Sequence, residues 1–166
     1  MHEVITVQKF SENEWLIDGI FAGNPAAKNI VIMLNEGGYT KDENGVFPLI
    51  ENNIIQKKDN KIIFQTKKYG NYEILANTLI KSQEFCTFRY DLRNHGKSLV
   101  NGKMDKRDTL YMRLAKDLRD ILKYLKNKYA FQKIYLIGTG VGALTIEYYL
   151  SRLNEIPNND INHVYL

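Results

Sequence analysis

A chain of 166 residues, 44% hydrophobic and 25% charged, has the balance of one globular domain and fits neither a disordered tail nor a collagen-like repeat. The net charge of +4 is carried by Lys residues scattered along the chain, not gathered into a basic stripe that would track a phosphate backbone, so nucleic acid is not an expected partner. The single Cys, Cys86, cannot close an internal disulfide, no apolar run reaches the ~18 residues of a membrane span, and the first residues lack a signal-peptide pattern. The expectation is a cytoplasmic protein that makes no membrane contact.

Residues 4–10 and 15–22 group β-formers around polar Ser11, Glu12, Asn13 and Glu14, which predicts an antiparallel hairpin within residues 1–28. Residues 29–34 are an apolar run of the kind shown by a strand buried on both faces, hence a central parallel strand. Residues 35–61, rich in Gly, Asn, Lys and Asp, read as a long loop. Leu75, Ala76, Leu79 and Ile80 at helical spacing predict a helix over 72–81, and residues 85–90 repeat the buried-strand pattern. The longest helix is predicted over 108–128, with Leu110, Leu114, Leu118, Ile121, Leu122 and Leu125 on one stripe, Lys116, Asp117, Arg119, Asp120 and Lys123 mostly elsewhere, and Asp108 as its N-cap. A strand over 134–137, a helix over 143–153 and a strand over 161–166 follow. Alternation of strand and helix from residue 29 onward defines the fold class as α/β, a mostly parallel sheet with helices on both faces.

Between the strand at 134–137 and the helix after it stand Gly138, Thr139, Gly140, Val141 and Gly142, a G-x-G-x-G turn. A nucleophile elbow has the same strand, turn and helix with the motif G-x-S-x-G, so the position of the attacking Ser Oγ is held here by Gly140. Other chemistry-bearing groups are sparse. Asp42 with Glu43 and Asp105 with Asp108 lack the His or Cys that a metal centre would add, and no metal or cofactor is expected. Asp91 with Arg89 or Arg93 reads as a loop-organising ion pair. Tyr124, Tyr129, Phe131, Tyr135, Tyr148 and Tyr149 read as packing between helices and sheet, not as a base-stacking surface.

Residues 88–98, Phe-Arg-Tyr-Asp-Leu-Arg-Asn-His-Gly-Lys-Ser, resemble the segment after the fourth strand of α/β-hydrolases, commonly R-Y-D-x-R-G-x-G-K-S, with Asn94 in place of the usual Gly. Residues 36–45 look like a diverged form of the G-x-G-P-T-D-R-D-G-N loop of a bacterial carboxylesterase-like branch. The order of elements agrees over residues 15–166, with the elbow about 40 residues beyond the fourth-strand segment. The resemblance implies acyl-ester chemistry through a Ser nucleophile, with an oxyanion held by the Val141 N–H and, as the second candidate, the Gly37 N–H. It implies that Gly138 and Gly142 keep the elbow's neighbours small, and that the Thr139 side chain points away from the reacting centre. The superfamily takes its acid and its His from later strands, and none of His2, His95 and His163 is expected to act as the base.

The expectation is therefore the N-terminal portion of an α/β-hydrolase, truncated after about the sixth strand and catalytically incompetent as it stands. Its expected ligand is a small acyl ester or carboxylate, and the apolar edge at 161–166 invites self-association or a partner strand. Two alternatives stay open: a non-catalytic binding or scaffold protein of hydrolase fold, and a dinucleotide-binding fragment, because residues 138–143 also match G-x-G-x-x-A.

Overall fold

The structure, a computed structural model, describes residues 3–8, 16–35, 44–48, 50–51, 54–62, 64–68, 72–93, 98, 111–152 and 161–165. The main sheet is built from β1 (Glu3–Gln8), β2 (Leu16–Gly23), β3 (Asn29–Leu34), β10 (Phe85–Tyr90), β11 (Lys133–Gly138) and β12 (Ile161–Tyr165), in the order β1-β2-β10-β3-β11-β12. β10, β3, β11 and β12 run parallel, while β2 is antiparallel to both β1 and β10. Among the described residues, three helices lie in the connections between the parallel strands: α1 (Tyr72–Lys81), α2 (Tyr111–Lys128) and α3 (Val141–Ser151).

Strand periodicity sorts the core into two layers. Ile30, Ile32 and Leu34 of β3 pack on one face with Phe88, Tyr90 and Leu136 against Leu114, Leu118, Ile121 and Leu125 of α2 and Ile146 and Tyr149 of α3. Val31 and Met33 pack on the other face, against Tyr72 and Ala76 of α1. A strand flanked on both sides and covered on both faces has no polar face to show, which is why residues 29–34 are continuously apolar. Each such Ile or Leu, fully buried, contributes roughly 1.5–3 kcal/mol of transfer free energy. At the end of the sheet near the helix termini, Phe21 stacks on Tyr129 with ring centroids 4.6 Å apart, and Phe131 adjoins both rings.

Residues 35–61 are not one long loop. Within and just beyond them lie β4 (Asn44–Pro48), β5 (Ile50–Glu51), β6 (Ile54–Ile55), β7 (Lys57–Lys58), β8 (Lys61–Ile62) and β9 (Phe64–Lys68), paired antiparallel as β4 with β9, β5 with β6 and β7 with β8. The turn between β7 and β8 explains how a polar stretch forms a ladder. Asp59 and Asn60 both have positive φ, 51° and 60°, the type I′ geometry whose twist matches that of a hairpin. Asp and Asn tolerate that region better than other residues with a side chain.

A second correction concerns α2. Asp117 does not join the solvent-facing charges but lies buried on the apolar stripe, where it receives the guanidinium of Arg93. Arg93 Nε donates to Asp117 Oδ2 at 2.8 Å and the Arg93 NH2 group donates to Oδ1, a bidentate pair that ties the segment after β10 to α2. Helix α3 opens at Val141, directly on the turn. The residues that were to cap α2 and continue α3, Asp108 and Leu153, lie outside the described residues, as do Asp42, Glu43, Asp105, His2 and His95.

Candidate functional site

The topology alone selects one place on this sheet. From β3 the chain leaves through α1 on one face to reach β10; from β11 it leaves through α3 on the opposite face to reach β12. β3 and β11 are neighbours, paired from Asn29 with Lys133 to Leu34 with Gly138, so their connections diverge to opposite sides. Such a switch point opens a crevice at the carboxyl ends of parallel strands, where open α/β sheets bind ligands. Here the carboxyl ends of the two strands carry Leu34 and Asn35 on one side and residues 138–141 on the other.

The turn is held by backbone hydrogen bonds. Thr139 N–H donates to the Leu34 carbonyl at 3.2 Å, extending the strand ladder by one step, and Gly142 N–H donates to the Thr139 carbonyl at 2.9 Å. Between them Gly140 adopts φ 52°, ψ −118°, a conformation that residues with a side chain avoid, and it lies exposed at the apex. The glycine at 142 answers a different demand. A Cβ there would stand 2.2 Å from the Leu34 carbonyl oxygen, and one at Gly138 would stand 2.7 Å from the Ala143 nitrogen. These two glycines let α3 start immediately against β3 and β11.

Val141 is the first residue of α3, so its N–H is among those an α-helix leaves without an intrahelical acceptor, at the positive end of the helix dipole. Thr139 is turned toward α1, where the Tyr72 hydroxyl donates to the Leu34 carbonyl at 3.4 Å and lies 3.5 Å from Thr139 Oγ1. Thr139 Oγ1 thus lies on the side of the turn facing α1. Gly37 lies outside the described residues. His163 sits on β12 opposite Tyr135, within the strand and three residues short of the level of Gly138. Among the described residues no cluster of His, Cys, Asp and Glu is arranged to hold a metal ion, and no helix is long and apolar enough to cross a membrane.

Sequence reasoning missed the buried charged pair between the segment after β10 and α2. Arg93 and Asp117 are nearly inaccessible, with side chains 3% and 2% exposed. Burial raises the Asp117 carboxyl above its ordinary range, opposed by the Arg93 guanidinium, and the Tyr90 phenol is pushed upward by burial and by the Asp117 charge. The signal was present in the spacing: residue 117 is three positions after Leu114 and four before Ile121, both on the buried stripe.

A parallel sheet with helices on both faces, a strand–turn–helix elbow at its switch point and glycines on either side of the apex define an α/β-hydrolase fold. The chain belongs to the family described as alpha/beta hydrolase of unknown function (DUF915), which matches residues 38–158. Solved structures agree on the fold. A protein of Agrobacterium vitis S4 assigned as a hydrolase is 15% identical with a TM-score of 0.65, covering 98% of this chain and 50% of its own. The Pyrococcus furiosus esterase Pf2001 is 22% identical, TM-score 0.60, covering 93% and 48%, and a Vigna radiata epoxide hydrolase mutant is 13% identical, TM-score 0.60, covering 99% and 37%. The chain therefore spans half or less of the length of these structures. No curated protein matches it.

Proposed function

We propose that this chain is an esterase-related α/β-hydrolase-fold protein whose elbow binds an acyl carbonyl or carboxylate without attacking it. The observation that carries the reading is Gly140 at the apex of the turn: a hydrogen atom occupies the place from which a nucleophilic oxygen would be presented. Oxyanion-type donors are retained in this reading, with the Val141 N–H at the start of α3 as one and the Gly37 N–H as the other. Such donors stabilise negative charge on an oxygen, and in acyl transfer that charge appears only after a nucleophile has added to the carbonyl. Without the addition step they bind a carboxylate or polarise a carbonyl, and binding by itself accelerates no cleavage. Thr139 offers no substitute, because its hydroxyl lies against Tyr72 on the side toward α1.

The test is hydrolysis of short-chain p-nitrophenyl esters by the purified chain and by Gly140→Ser. The expected result is no turnover above buffer for either protein, because Ser at 140 would still need a base and His163 stands within β12 rather than at its carboxyl end. Saturable ester turnover by the wild-type chain would overturn the proposal.

A further inference from the structure

On β10 alternate side chains face α1, and the two polar ones on that face are buried with donors left over. Phe85 packs in the α1-side layer with Val31, Met33, Tyr72 and Ala76, whereas Cys86, Phe88 and Tyr90 belong to the opposite layer, so Thr87 and Arg89 share the face of Phe85. Thr87 is 1% exposed and Arg89 5%, and neither Thr87 Oγ1 nor Arg89 Nη1 has a hydrogen-bond partner. Buried polar groups are ordinarily hydrogen-bonded and buried charges ordinarily paired. A water molecule would satisfy the hydroxyl but leave the positive charge of the guanidinium unanswered; an anion answers both.

The neighbours decide what kind of anion fits. Arg89 is in register with Ile20 of β2 and Met33 of β3, and Thr87 with Ala22 and Val31, so apolar side chains flank the two donors on both adjoining strands. Asp18 shares this face but stands two residues along β2 from Ile20, diagonal to Arg89, and Arg89 Nη1 does not bond to it. Helix α1 crosses the face obliquely: Tyr72, its first residue, is held at the carboxyl end of β3, while Ile80 in its last turn lies beside Gly23, which pairs with Cys86 at the start of β10. Arg89 stands at the other end of the β2–β10 pair, off that path and toward the carboxyl ends of the parallel strands, where open α/β sheets take their ligands.

A carboxylate presents two oxygens to the guanidinium fork, and the Thr87 hydroxyl, two residues or ~7 Å along the strand, adds a further donor. A phosphate in the same place would bury additional oxygens against apolar walls that offer them nothing. From the two buried donors and their apolar flanks we infer that Arg89 and Thr87 form a binding site for the carboxylate of a short-chain acid, its alkyl part lying on Ile20 and Met33. The site is two strands away from β11 and its elbow, and it does not depend on what residue 140 does.

The experiment is differential scanning calorimetry of the wild-type chain and Arg89→Met in sodium butyrate, sodium phosphate and sodium chloride at one ionic strength and neutral pH. In chloride, Arg89→Met is expected to melt at or above the wild-type Tm, because it removes a buried charge that nothing answers. Butyrate should raise the wild-type Tm saturably, by about 5–10 °C at a hundredfold excess over half-saturation, and phosphate should raise it less. Arg89→Met should lose that rise. Stabilisation through the elbow is common to both proteins and cancels in the comparison, so this result is separable from the reading of Gly140. Thr87→Val, which removes only the hydroxyl, should weaken the butyrate dependence about tenfold, and it decides the matter where altered packing at position 89 prevents Arg89→Met from folding. The inference is overturned by an equal butyrate response in wild type and variants, by a larger rise in phosphate, or by a folded Arg89→Met that melts several degrees below wild type in chloride, which would show the guanidinium paired within the chain.

Discussion

Replacing Gly140 by Ser tests the elbow geometry without reference to activity. With φ 52° and ψ −118°, residue 140 occupies a region in which a side chain costs of the order of 1–3 kcal/mol. Ser also restricts the unfolded chain relative to Gly, which returns ~0.4–1 kcal/mol. The position is exposed, so no packing loss or gain enters. The net expectation is destabilisation by about 1–2 kcal/mol. For a chain of 166 residues, at roughly 2–4 °C per kcal/mol, this lowers Tm by about 2–8 °C. Thermal melting followed by far-UV circular dichroism, wild type and Gly140→Ser side by side, measures it. An unchanged or raised Tm would mean that residue 140 does not hold a left-handed backbone, and the elbow assignment would lose its geometric basis.

Other expectations follow from the same structure. Gly142→Ala should destabilise by about 3 kcal/mol or more despite the better helix propensity of Ala, because its Cβ would overlap the Leu34 carbonyl oxygen at 2.2 Å; urea unfolding measures the loss, and a gain in stability would refute the close approach of α3 to β3. Arg93→Met should cost about 3–5 kcal/mol at pH 7 by leaving the buried Asp117 carboxylate uncompensated, while the pair Arg93→Met with Asp117→Leu should recover most of it; equal losses for both in urea titrations would argue against a buried ion pair. Cys86, its thiol pushed up to about 12 by burial, should resist iodoacetamide in the native chain at pH 8, where only about one thiol in ten thousand would be ionised, and react on unfolding. Alkylation of the native chain at the unfolded rate, followed by mass spectrometry, would refute that burial.

Stability should also respond to pH through Asp117. Its folded-state pKa is raised above the unfolded value, so the folded chain holds the proton more tightly, and this contribution is complete below the unfolded pKa and declines as pH rises through the folded one. Asp117→Asn should remove that segment of the stability–pH curve, and an identical curve in urea titrations from pH 4 to 7 would contradict the assignment.

Burial on both faces is what made the parallel strands legible. Residues 29–34, 85–90 and 134–137 read as apolar runs because helices cover the sheet above and below them. α1 and α2 were legible for the complementary reason, a one-sided stripe at helical spacing. The small hairpins between residues 44 and 68 were not, since strands of two residues such as Lys57–Lys58 contain too little alternation to register, and their one local mark was Asp59-Asn60 as a type I′ turn. The Arg93–Asp117 pair escaped for another reason: charge was taken as a sign of exposure, although position 117 belongs to the buried stripe. At the elbow, glycine spacing was sufficient to locate the turn, while the separate demands on Gly140 and Gly142, backbone sign in one and contact distance in the other, emerge only in three dimensions.

The most direct test of the central claim is treatment of the native chain with a fluorophosphonate, which phosphonylates activated hydroxyl nucleophiles, followed by peptide mass spectrometry. With Gly140 at the apex and the Thr139 hydroxyl against Tyr72, no adduct on residues 138–142 is expected. A stoichiometric adduct on Thr139 would show that the elbow does present a nucleophile, and would contradict the account.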